Sequence, residues 1–186
     1  MEFSIEKHKA SHAAELIANG EYLFWFDGRM EYGPRALGNR SILADPSSLE
    51  AKERLNLLVK RREWFQPFAP SVLAEDAKRL FERVKCVDKY MTSAYMVKAE
   101  RYGLMGGVMS IDRSARPQMV GKENPHYRDL LRSLKSKFGY GVVLNTSFNI
   151  HGMPIVMTPD DALYTMKQTR TKYMFLGDFF VENKGA

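Results

Sequence analysis

The chain has 186 residues, of which 45% are hydrophobic and 27% are charged, values typical of a globular domain with a substantial core. Its formal net charge of +6 favours an anionic partner, but the charge alone does not distinguish a nucleotide from a nucleic acid or a membrane surface. The single cysteine, Cys86, excludes an internal disulfide and a cysteine-based zinc site, so we expect a reducing, cytoplasmic environment. No apolar run has the length of a signal peptide or a membrane span, so we expect no membrane partner.

The predicted elements alternate between helices and strands along the chain. In the first half we predict a helix capped by Ser11 that ends before Gly20, strands at 22–26 and 41–44, a helix capped by Ser47 or Ser48 that runs to about Val59, an ordered loop or edge strand over 60–70, and a helix at 76–84.

In the second half we predict a strand at 94–98, a turn at 103–107, strands near 108–111 and 113–120, a helix from Asn124 to about Phe138, a buried strand at 142–144, a helix opened by Thr158 and Pro159, and a closing strand pair at 173–176 and 179–181. This interleaving predicts an α/β sandwich with a strongly mixed sheet.

The first candidate anion-binding segment is 33–40, which reads Gly-Pro-Arg-Ala-Leu-Gly-Asn-Arg. Glycines let main-chain N–H groups approach an anion, and Arg35 and Arg40 supply planar, permanently charged groups that suit phosphate. The alternative is a loop whose arginines pair with neighbouring acids such as Glu31 or Asp45. From the residues alone, both interpretations stay open.

The second candidate is Lys60-Arg61-Arg62. In an extended chain alternate residues share a face, so Lys60 and Arg62 would point one way and Arg61 the other. Two cations on one face, just after a helix, would form a compact site for a dianion. The alternative, a solvated basic turn, is the usual structure of such a run and is favoured when the motif is taken alone.

The third candidate follows the buried strand at 142–144. Asn145, Thr146, Ser147 and Asn149 are polar and stand where α/β sheets place ligands. Ser147 and Asn149 would share a face and offer a hydroxyl and a carboxamide without adding charge. The alternative is a turn that satisfies its own backbone. Four polar residues directly after a core strand favour function slightly.

Arg116, on the probable strand at 113–120, is a further candidate anion contact. His8 and His12 are spaced to share a helical face, but no third ligand is in reach, so we predict no metal site there. The sequence contains no Ser–His–Asp arrangement, Walker loop or Rossmann fingerprint. The residues therefore indicate anion binding without an obvious side-chain nucleophile.

Three blocks of the sequence closely resemble the C-terminal domain of O-carbamoyltransferases, the enzymes of nodulation-factor, tobramycin and cephamycin biosynthesis. The blocks are GRMEYGPRALGNRSI at 28–42, KRREWFQPFAP at 60–70 and NTSFNIHG at 145–152. The likeness spans nearly the whole chain, from about Tyr22 to Lys184. It implies a YrdC-like fold over 21–186, a twisted mixed sheet with flanking helices, with 1–20 as an N-terminal helical extension.

In the YrdC family of threonylcarbamoyl-AMP synthases, a Lys-x-Arg and a Ser-x-Asn motif hold the anionic substrates. Here these motifs fall on Lys60 and Arg62 and on Ser147 and Asn149. The resemblance implies that the chain binds carbamoyl phosphate and ATP, with Mg²⁺ on the triphosphate. Carbamoyl phosphate would lose its phosphate, and the freed carbamate would attack the α-phosphate of ATP to give carbamoyl-adenylate and pyrophosphate. A separate or missing N-terminal domain would pass the carbamoyl group to a hydroxyl.

The resemblance and the chemistry of the residues together suggest roles. Clustered cations oppose the repulsion among phosphates, so we predict Lys60, Arg62 and Arg35 as catalytic electrostatic clamps. The predicted substrate-binding residues are Ser147, Asn149, Arg116, Asn145, Thr146 and Arg40.

The chain departs from the usual family pattern at two positions. Ser110 stands where a His-x-Asp-Gly-Thr stretch usually begins, and Met153 stands where a Gly-Glu-Pro stretch usually has its acid. A competing hypothesis is a non-catalytic YrdC-like module that binds RNA on an open basic surface or docks onto a catalytic partner. The cations lie in segments ordered by glycine and proline, which favours a pocket over a nucleic-acid surface.

Overall fold

The computed structural model describes residues 1–185. Its helices are α1 (Lys9–Ala18), α2 (Leu49–Arg54), which continues as a π-helix (Leu55–Lys60), α3 (Ala77–Leu80), a 3₁₀ helix (Ala99–Arg101), α4 (Tyr102–Met105), α5 (Pro125–Phe138) and α6 (Pro159–Thr169). Its strands are β1 (Glu2–Ile5), β2 (Leu23–Phe26), β3 (Arg40–Ala44), β4 (Ala69–Leu73), β5 (Tyr95–Met96), β6 (Ser114–Ala115), β7 (Gln118–Val120), β8 (Val142–Ser147), β9 (Tyr173–Leu176) and β10 (Phe179–Glu182).

One large mixed sheet organises the molecule, with strand order β1-β10-β9-β2-β3-β8-β4-β7. The pairs β2–β9 and β4–β7 are parallel, and the other neighbours are antiparallel. Strands β5 and β6 form a separate two-stranded sheet. The predicted mixed α/β sheet is therefore present, and β8, which carries the polar segment, lies near its centre.

The central strands are buried on both faces, so alternate side chains enter two hydrophobic cores. In β2, Phe24 belongs to one core, while Leu23 and Trp25 belong to the other. Helices α1 and α5 supply the side chains that cover Trp25, and α2 and α6 supply those that cover Phe24. No helix in the described residues is long and apolar enough to cross a membrane.

The N-terminal segment adds both a strand and a helix. Strand β1 pairs with β10 at one edge of the sheet, which the sequence did not indicate. The prediction that Ser11 caps the first helix is wrong, because α1 begins at Lys9 and Ser11 lies in its first turn. There the Ser11 hydroxyl donates to the carbonyl of His8 at 3.0 Å.

Three later helix caps are confirmed. The Ser48 hydroxyl accepts from Ala51 N at 2.9 Å, the Asn124 side chain accepts from Tyr127 N, and Thr158 forms a capping box at the start of α6.

The segment between β4 and β7 differs most from the prediction. The helix predicted at 76–84 is only the short α3, because Phe81 is extended and pairs with Val97. The strand predicted near 108–111 is wrong, and the turn predicted at 103–107 contains α4. The strand predicted at 113–120 is split by Pro117 between two different sheets, with Arg116 at the break.

Strand β4 also corrects the prediction of a loop or edge strand over 60–70. Residues 61–68 are irregular, but Ala69–Leu73 lies inside the sheet between β8 and β7. Pro70 is tolerated there at the strand's beginning.

Candidate anion-binding site

A pocket of about 120 Å³ lies beside the C-terminal half of β8. It is lined by residues of the loops that precede β3, β4, β5 and β7 and by residues of β4 and β8: Pro34, Arg35, Ala36, Arg62, Pro67, Phe68, Ala69, Met91, Arg116, Asn145, Thr146 and Ser147. Six of the nine predicted site residues are therefore brought together in one small cavity.

Three arginines line this basic pocket: Arg35, Arg62 and Arg116. Within residues 1–185 none of them forms an ion pair, and no carboxylate lines the pocket. Burial lowers the pKa of Arg62, and burial together with the Arg35 charge lowers the pKa of Arg116. The nearby Asp88 carboxylate opposes this lowering for Arg116 and is the smallest of the three influences. The pocket thus holds net positive charge, which a bound anion would stabilise.

The alternative in which Arg35 pairs with Glu31 or Asp45 is not what the structure contains. Glu31 instead accepts hydrogen bonds from main-chain N–H groups of the loop at 33–40, here called the arginine loop, at 2.6 Å from Leu37 N and 2.8 Å from Asn39 N. Asp45 accepts from Ser47. The acid nearest in sequence therefore shapes the loop and leaves the guanidinium of Arg35 unpaired.

The arginine loop is also held through its carbonyl groups. Gln118 Nε2 donates to Leu37 O at 2.8 Å, and Asn145 Nδ2 donates to Ala36 O at 3.0 Å. Asn145 Nδ2 also donates to Ser71 Oγ, whereas its Oδ1 is buried and lacks a partner among the described residues. Asn145, predicted as a substrate contact, thus supports Arg35 and keeps one free acceptor.

Lys60 lies behind the pocket wall. It is 2% exposed, and its ammonium donates to Ser147 Oγ at 3.1 Å, to Asn149 Oδ1 at 2.7 Å, to Asn149 O at 3.1 Å and to Ser147 O. Burial, with a smaller contribution from the Arg62 charge, lowers the pKa of Lys60 to about 7. The Lys-x-Arg lysine therefore meets both members of the Ser-x-Asn motif directly.

Ser147 and Asn149 use their donors inside the protein. Ser147 Oγ donates to Asn149 Oδ1 at 2.7 Å, and Asn149 Nδ2 donates to Met153 O at 2.6 Å. Ser147 lines the pocket, but Asn149 lies outside it. In this structure the polar turn partly satisfies itself, as the alternative interpretation proposed.

The prediction that Lys60 and Arg62 share a face because the chain is extended is wrong. Lys60 ends the π-helix, and Arg61 has a left-handed φ of 51° that reverses the chain. Lys60 is consequently buried, Arg61 is exposed, and Arg62 is half-buried at the pocket. The turn, rather than strand alternation, brings the two cations to the same site.

Arg40 does not join the other arginines. It is buried, stacks 3.4 Å from the Phe26 ring centroid, and donates to the carbonyls of Asp27, Gly28 and Asn39. It therefore follows the structural interpretation and fixes the beginning of the arginine loop.

The part of the chain described here supplies no metal centre, since no group of three or more His, Cys, Asp or Glu residues is arranged to hold an ion. The pocket offers only neutral oxygens, such as Asn145 Oδ1, beside its arginines. Magnesium is usually held by carboxylates together with substrate phosphates. The residues therefore do not fit a resident Mg²⁺, although a metal already bound to a nucleotide needs no protein carboxylate.

The sequence profile described as Carbamoyltransferase C-terminus matches residues 14–183. The chain belongs to this family. Nodulation protein NolO of Bradyrhizobium diazoefficiens is 42% identical over 180 residues, which cover 95% of this chain and 33% of that protein. The 3'-hydroxymethylcephem-O-carbamoyltransferase of Streptomyces clavuligerus is 36% identical over 170 residues, covering 90% and 32%. This carbamoyltransferase domain thus spans about a third of the length of the curated relatives it matches.

Solved structures establish the fold of this carbamoyltransferase domain. Full-length HypF in its phosphate- and nucleotide-bound form has a TM-score of 0.67 at 17% identity, covering 94% of this chain and 26% of that chain. Sua5 of P. abyssi has a TM-score of 0.56 at 13% identity, covering 89% and 48%. The predicted YrdC-like fold and the resemblance to O-carbamoyltransferases are both confirmed.

The two departures from the carbamoyltransferase pattern lie in cavities outside the basic pocket, and one of these cavities adjoins it. Ser110 lines a cavity of about 220 Å³ that shares Phe68 and Arg116 with the pocket. Met153 lines an apolar groove of about 400 Å³ that begins at Asn149. The first departure therefore alters a surface beside Arg116, whereas the second lies in a groove that shares no residue with the basic pocket.

Six lining residues of the pocket were not predicted as site residues: Pro34, Ala36, Pro67, Phe68, Ala69 and Met91. Met91 lines the pocket from a loop with no distinctive pattern, and its φ is 57°. Asn56 is buried and contacts Arg62, and its only signal is a single polar residue inside the apolar run Leu55 to Val59.

Proposed function

We propose that this chain binds carbamoyl phosphate and MgATP at the basic pocket and forms carbamoyl-adenylate, whose carbamoyl group a separate N-terminal domain passes to a hydroxyl of the acceptor substrate. The observation that supports this most is that one small cavity is lined by three arginines that form no ion pair with any residue from 1 to 185. A relative named as a carbamoyltransferase supports the group transferred.

The proposed reaction balances in two steps. Water hydrolyses carbamoyl phosphate to carbamate and inorganic phosphate. A carbamate oxygen then attacks the α-phosphorus of ATP, the bond to the β-phosphate oxygen breaks, and pyrophosphate leaves with its electron pair. Neither step needs an oxidant or a side-chain nucleophile, which agrees with a pocket built from cations and neutral polar groups.

The arginines would act by electrostatic stabilisation. A pentavalent transition state at the α-phosphorus concentrates negative charge on oxygens, and fixed guanidinium groups in a partly buried pocket stabilise it without reorganising. Arg62 and Arg116 have pKa values lowered by burial, so a bound phosphate relieves a penalty that the empty pocket carries.

Lys60 would act through Ser147 and Asn149. Its ammonium holds the end of β8 by four contacts, so it fixes the wall against which the substrate lies. An anion beside Ser147 would also favour the protonated form of a lysine whose pKa is about 7.

The size of the pocket favours a small anion over RNA. A volume of about 120 Å³ suits the reacting phosphate and carbamoyl groups, and the adjoining cavity of about 220 Å³, which shares Phe68 and Arg116, would take the rest of the nucleotide. RNA binding instead uses extended basic surfaces and stacking platforms. RNA binding would weaken steeply with salt and survive the loss of one pocket arginine.

The test is carbamoyl-phosphate-dependent exchange of labelled pyrophosphate into ATP. We expect exchange by the wild-type chain, loss of at least about 100-fold in Arg62→Ala and Lys60→Ala, and little change in Arg61→Ala, since Arg61 is exposed and outside the pocket. Absence of exchange together with absence of ATP binding would contradict the proposal.

A further inference from the structure

Asn56 is a fully buried polar residue one turn before Lys60. It is 0% exposed and stands in the π-helix among Leu55 and Val59, which belong to the hydrophobic core. A carboxamide in such a place is costly unless all of its groups are bonded. Short π-helical segments in proteins frequently mark functional sites.

All polar groups of the Asn56 side chain have partners in the loop that follows. Its Oδ1 accepts from Arg62 Nε at 2.7 Å, and its Nδ2 donates to Trp64 O at 2.9 Å and to Gln66 O at 3.0 Å. The main chain adds a fourth bond, since Arg62 N donates to Asn56 O at 3.0 Å. One residue thus holds both the backbone and the side chain of Arg62.

The Arg62 nitrogen that Asn56 binds determines which N–H groups remain for the pocket. Asn56 takes the Nε–H of Arg62, and within residues 1–185 neither terminal Nη of Arg62 has a hydrogen-bond partner. The Phe68 ring, 4.8 Å from the guanidinium carbon, packs against the planar group. The two Nη groups are left available at the pocket that Arg62 lines.

A neutral acceptor also preserves the charge. An aspartate at this position would pair with the guanidinium and cancel much of its field, whereas the amide oxygen orients the group and leaves its +1 charge intact.

We propose that Asn56 is a positioning residue: it acts through Arg62, holding the guanidinium so that both Nη groups face the anion. This inference rests on the proposed function for the identity of the anion, but not for the orientation of Arg62.

The first test needs no ligand. In a proton–nitrogen spectrum of the arginine Nε–H groups, the Arg62 signal, identified by its absence in Arg62→Lys, should be resolved and protected from solvent exchange. We expect Asn56→Ala to abolish the protection and Asn56→Asp to retain it, because a carboxylate can still accept from Nε. An unchanged Arg62 signal in Asn56→Ala would overturn the proposal.

The second test measures pyrophosphate affinity by titration calorimetry. We expect Asn56→Ala to weaken binding about tenfold through loss of orientation. We expect Asn56→Asp to weaken it at least as much, because its carboxylate offsets the Arg62 charge and cannot donate to Trp64 O and Gln66 O, although its Arg62 signal stays protected. If Asn56 only stabilised the fold, the protection of the Arg62 Nε–H signal and the pyrophosphate affinity would be lost or kept together in Asn56→Asp.

Thr158→Ala is the control for general destabilisation. It removes a helix cap of α6 and touches no residue of the basic pocket. If Asn56→Ala binds pyrophosphate as tightly as Thr158→Ala does, the positioning role is contradicted. If the wild type itself does not bind pyrophosphate, the proposed function fails, while the spectrum still decides whether Asn56 orients Arg62.

Discussion

Cations at the junction of α3 with α5 are paired with carboxylates, whereas the arginines of the basic pocket are not. At the junction, Asp76 accepts from Lys135 at 2.7 Å and from Arg79 at 3.3 Å, and Glu75 accepts from Arg128 at 2.7 Å. In the pocket, three arginines stand together and none has a carboxylate partner within residues 1–185. The junction satisfies its charges internally, whereas the pocket leaves its charge for a ligand.

The supports of the two regions differ in the same way. Acids pair directly with the cations of the junction. At the pocket, Asn56 binds Arg62, Gln118 and Asn145 bind the carbonyls that follow Arg35, and Glu31 accepts main-chain N–H groups of the same loop instead of pairing with Arg35. A neutral support fixes geometry without lowering the positive potential. In this domain a cationic side chain can therefore be held in place without its charge being neutralised.

The largest expected effect is on anion binding when the pocket loses its charge. Replacing Arg35, Arg62 and Arg116 together by alanine should weaken pyrophosphate binding by more than about 100-fold, because several charge-assisted hydrogen bonds are lost. The midpoint of thermal unfolding should fall by a few degrees, because loss of Arg62 leaves the buried Asn56 Oδ1 without its donor, and the relief of repulsion between Arg35 and Arg116 offsets only part of that cost. Titration calorimetry and a thermal melt measure the two quantities.

A matched control removes the same three charges from exposed helical positions outside the pocket: Arg132, Lys137 and Lys167. Equal loss of affinity in both triple variants would show that net charge alone binds the anion, and the comparison would fail.

The next effect falls on stability at the junction. Asp76→Ala should lower the free energy of unfolding by about 3 kcal/mol, because Asp76 is buried and also accepts from Gly141 N at 3.0 Å. Pyrophosphate affinity should stay within about twofold of wild type. Urea denaturation measures the stability, and a loss below about 1 kcal/mol would contradict the internal role assigned to this carboxylate.

Acid should reproduce part of that loss. Burial raises the pKa of Asp76, but the hydrogen bonds from Gly141 N and Lys135 outweigh burial and lower that pKa below its ordinary value. Its contribution is therefore present above the unfolded-state pKa and is lost as the pH falls through the folded-state pKa. Wild-type stability should drop more steeply than that of Asp76→Asn below about pH 4.

A smaller effect concerns the pH dependence of anion binding. Lys60 has a pKa of about 7, and an anion in the adjacent pocket raises it. Binding should therefore take up a proton, and affinity should fall by up to about tenfold as the pH rises above 7. In Lys60→Met only the ligand itself titrates, so its pyrophosphate affinity should depend less steeply on pH than that of the wild type. Identical slopes of affinity against pH in the two proteins would argue against this linkage.

The smallest effect is expected at the rim of the junction. Arg128→Ala should cost about 1 kcal/mol, because Glu75 is 45% exposed and the bonds that Arg128, itself 13% exposed, donates to Val120 O and Gly121 O are long, at 3.2 and 3.4 Å. Anion affinity should not change. Should Arg128→Ala weaken pyrophosphate binding, the separation between the two regions would not hold.

Local patterns in the sequence predicted the sheet well. The strands β2, β3, β8, β9 and β10 could be predicted because each contains apolar side chains that enter one of the two cores. Strand β1 was missed because it is exposed along its length and exists through pairing with β10, which is distant in sequence. The helix at 76–84 was overextended because Phe81 pairs with Val97 instead.

The site was partly predictable for the same reason. Strand alternation grouped Ser147 with Asn149, but no local rule places Lys60 against them, 87 residues away. The π-helix and the left-handed Arg61 were also unreadable, since non-glycine residues rarely adopt that conformation. Asn56 and Met91 acquire their roles only from the tertiary loops around them.

A crystal structure of the chain grown with ATP tests the central claim most directly. The account predicts triphosphate density in the basic pocket, with phosphate oxygens within hydrogen-bond distance of the guanidinium groups of Arg35, Arg62 and Arg116 and no change in the ion pairs of Asp76. Nucleotide density elsewhere on the protein, or arginines that turn to pair with protein carboxylates while ATP is bound, would contradict it.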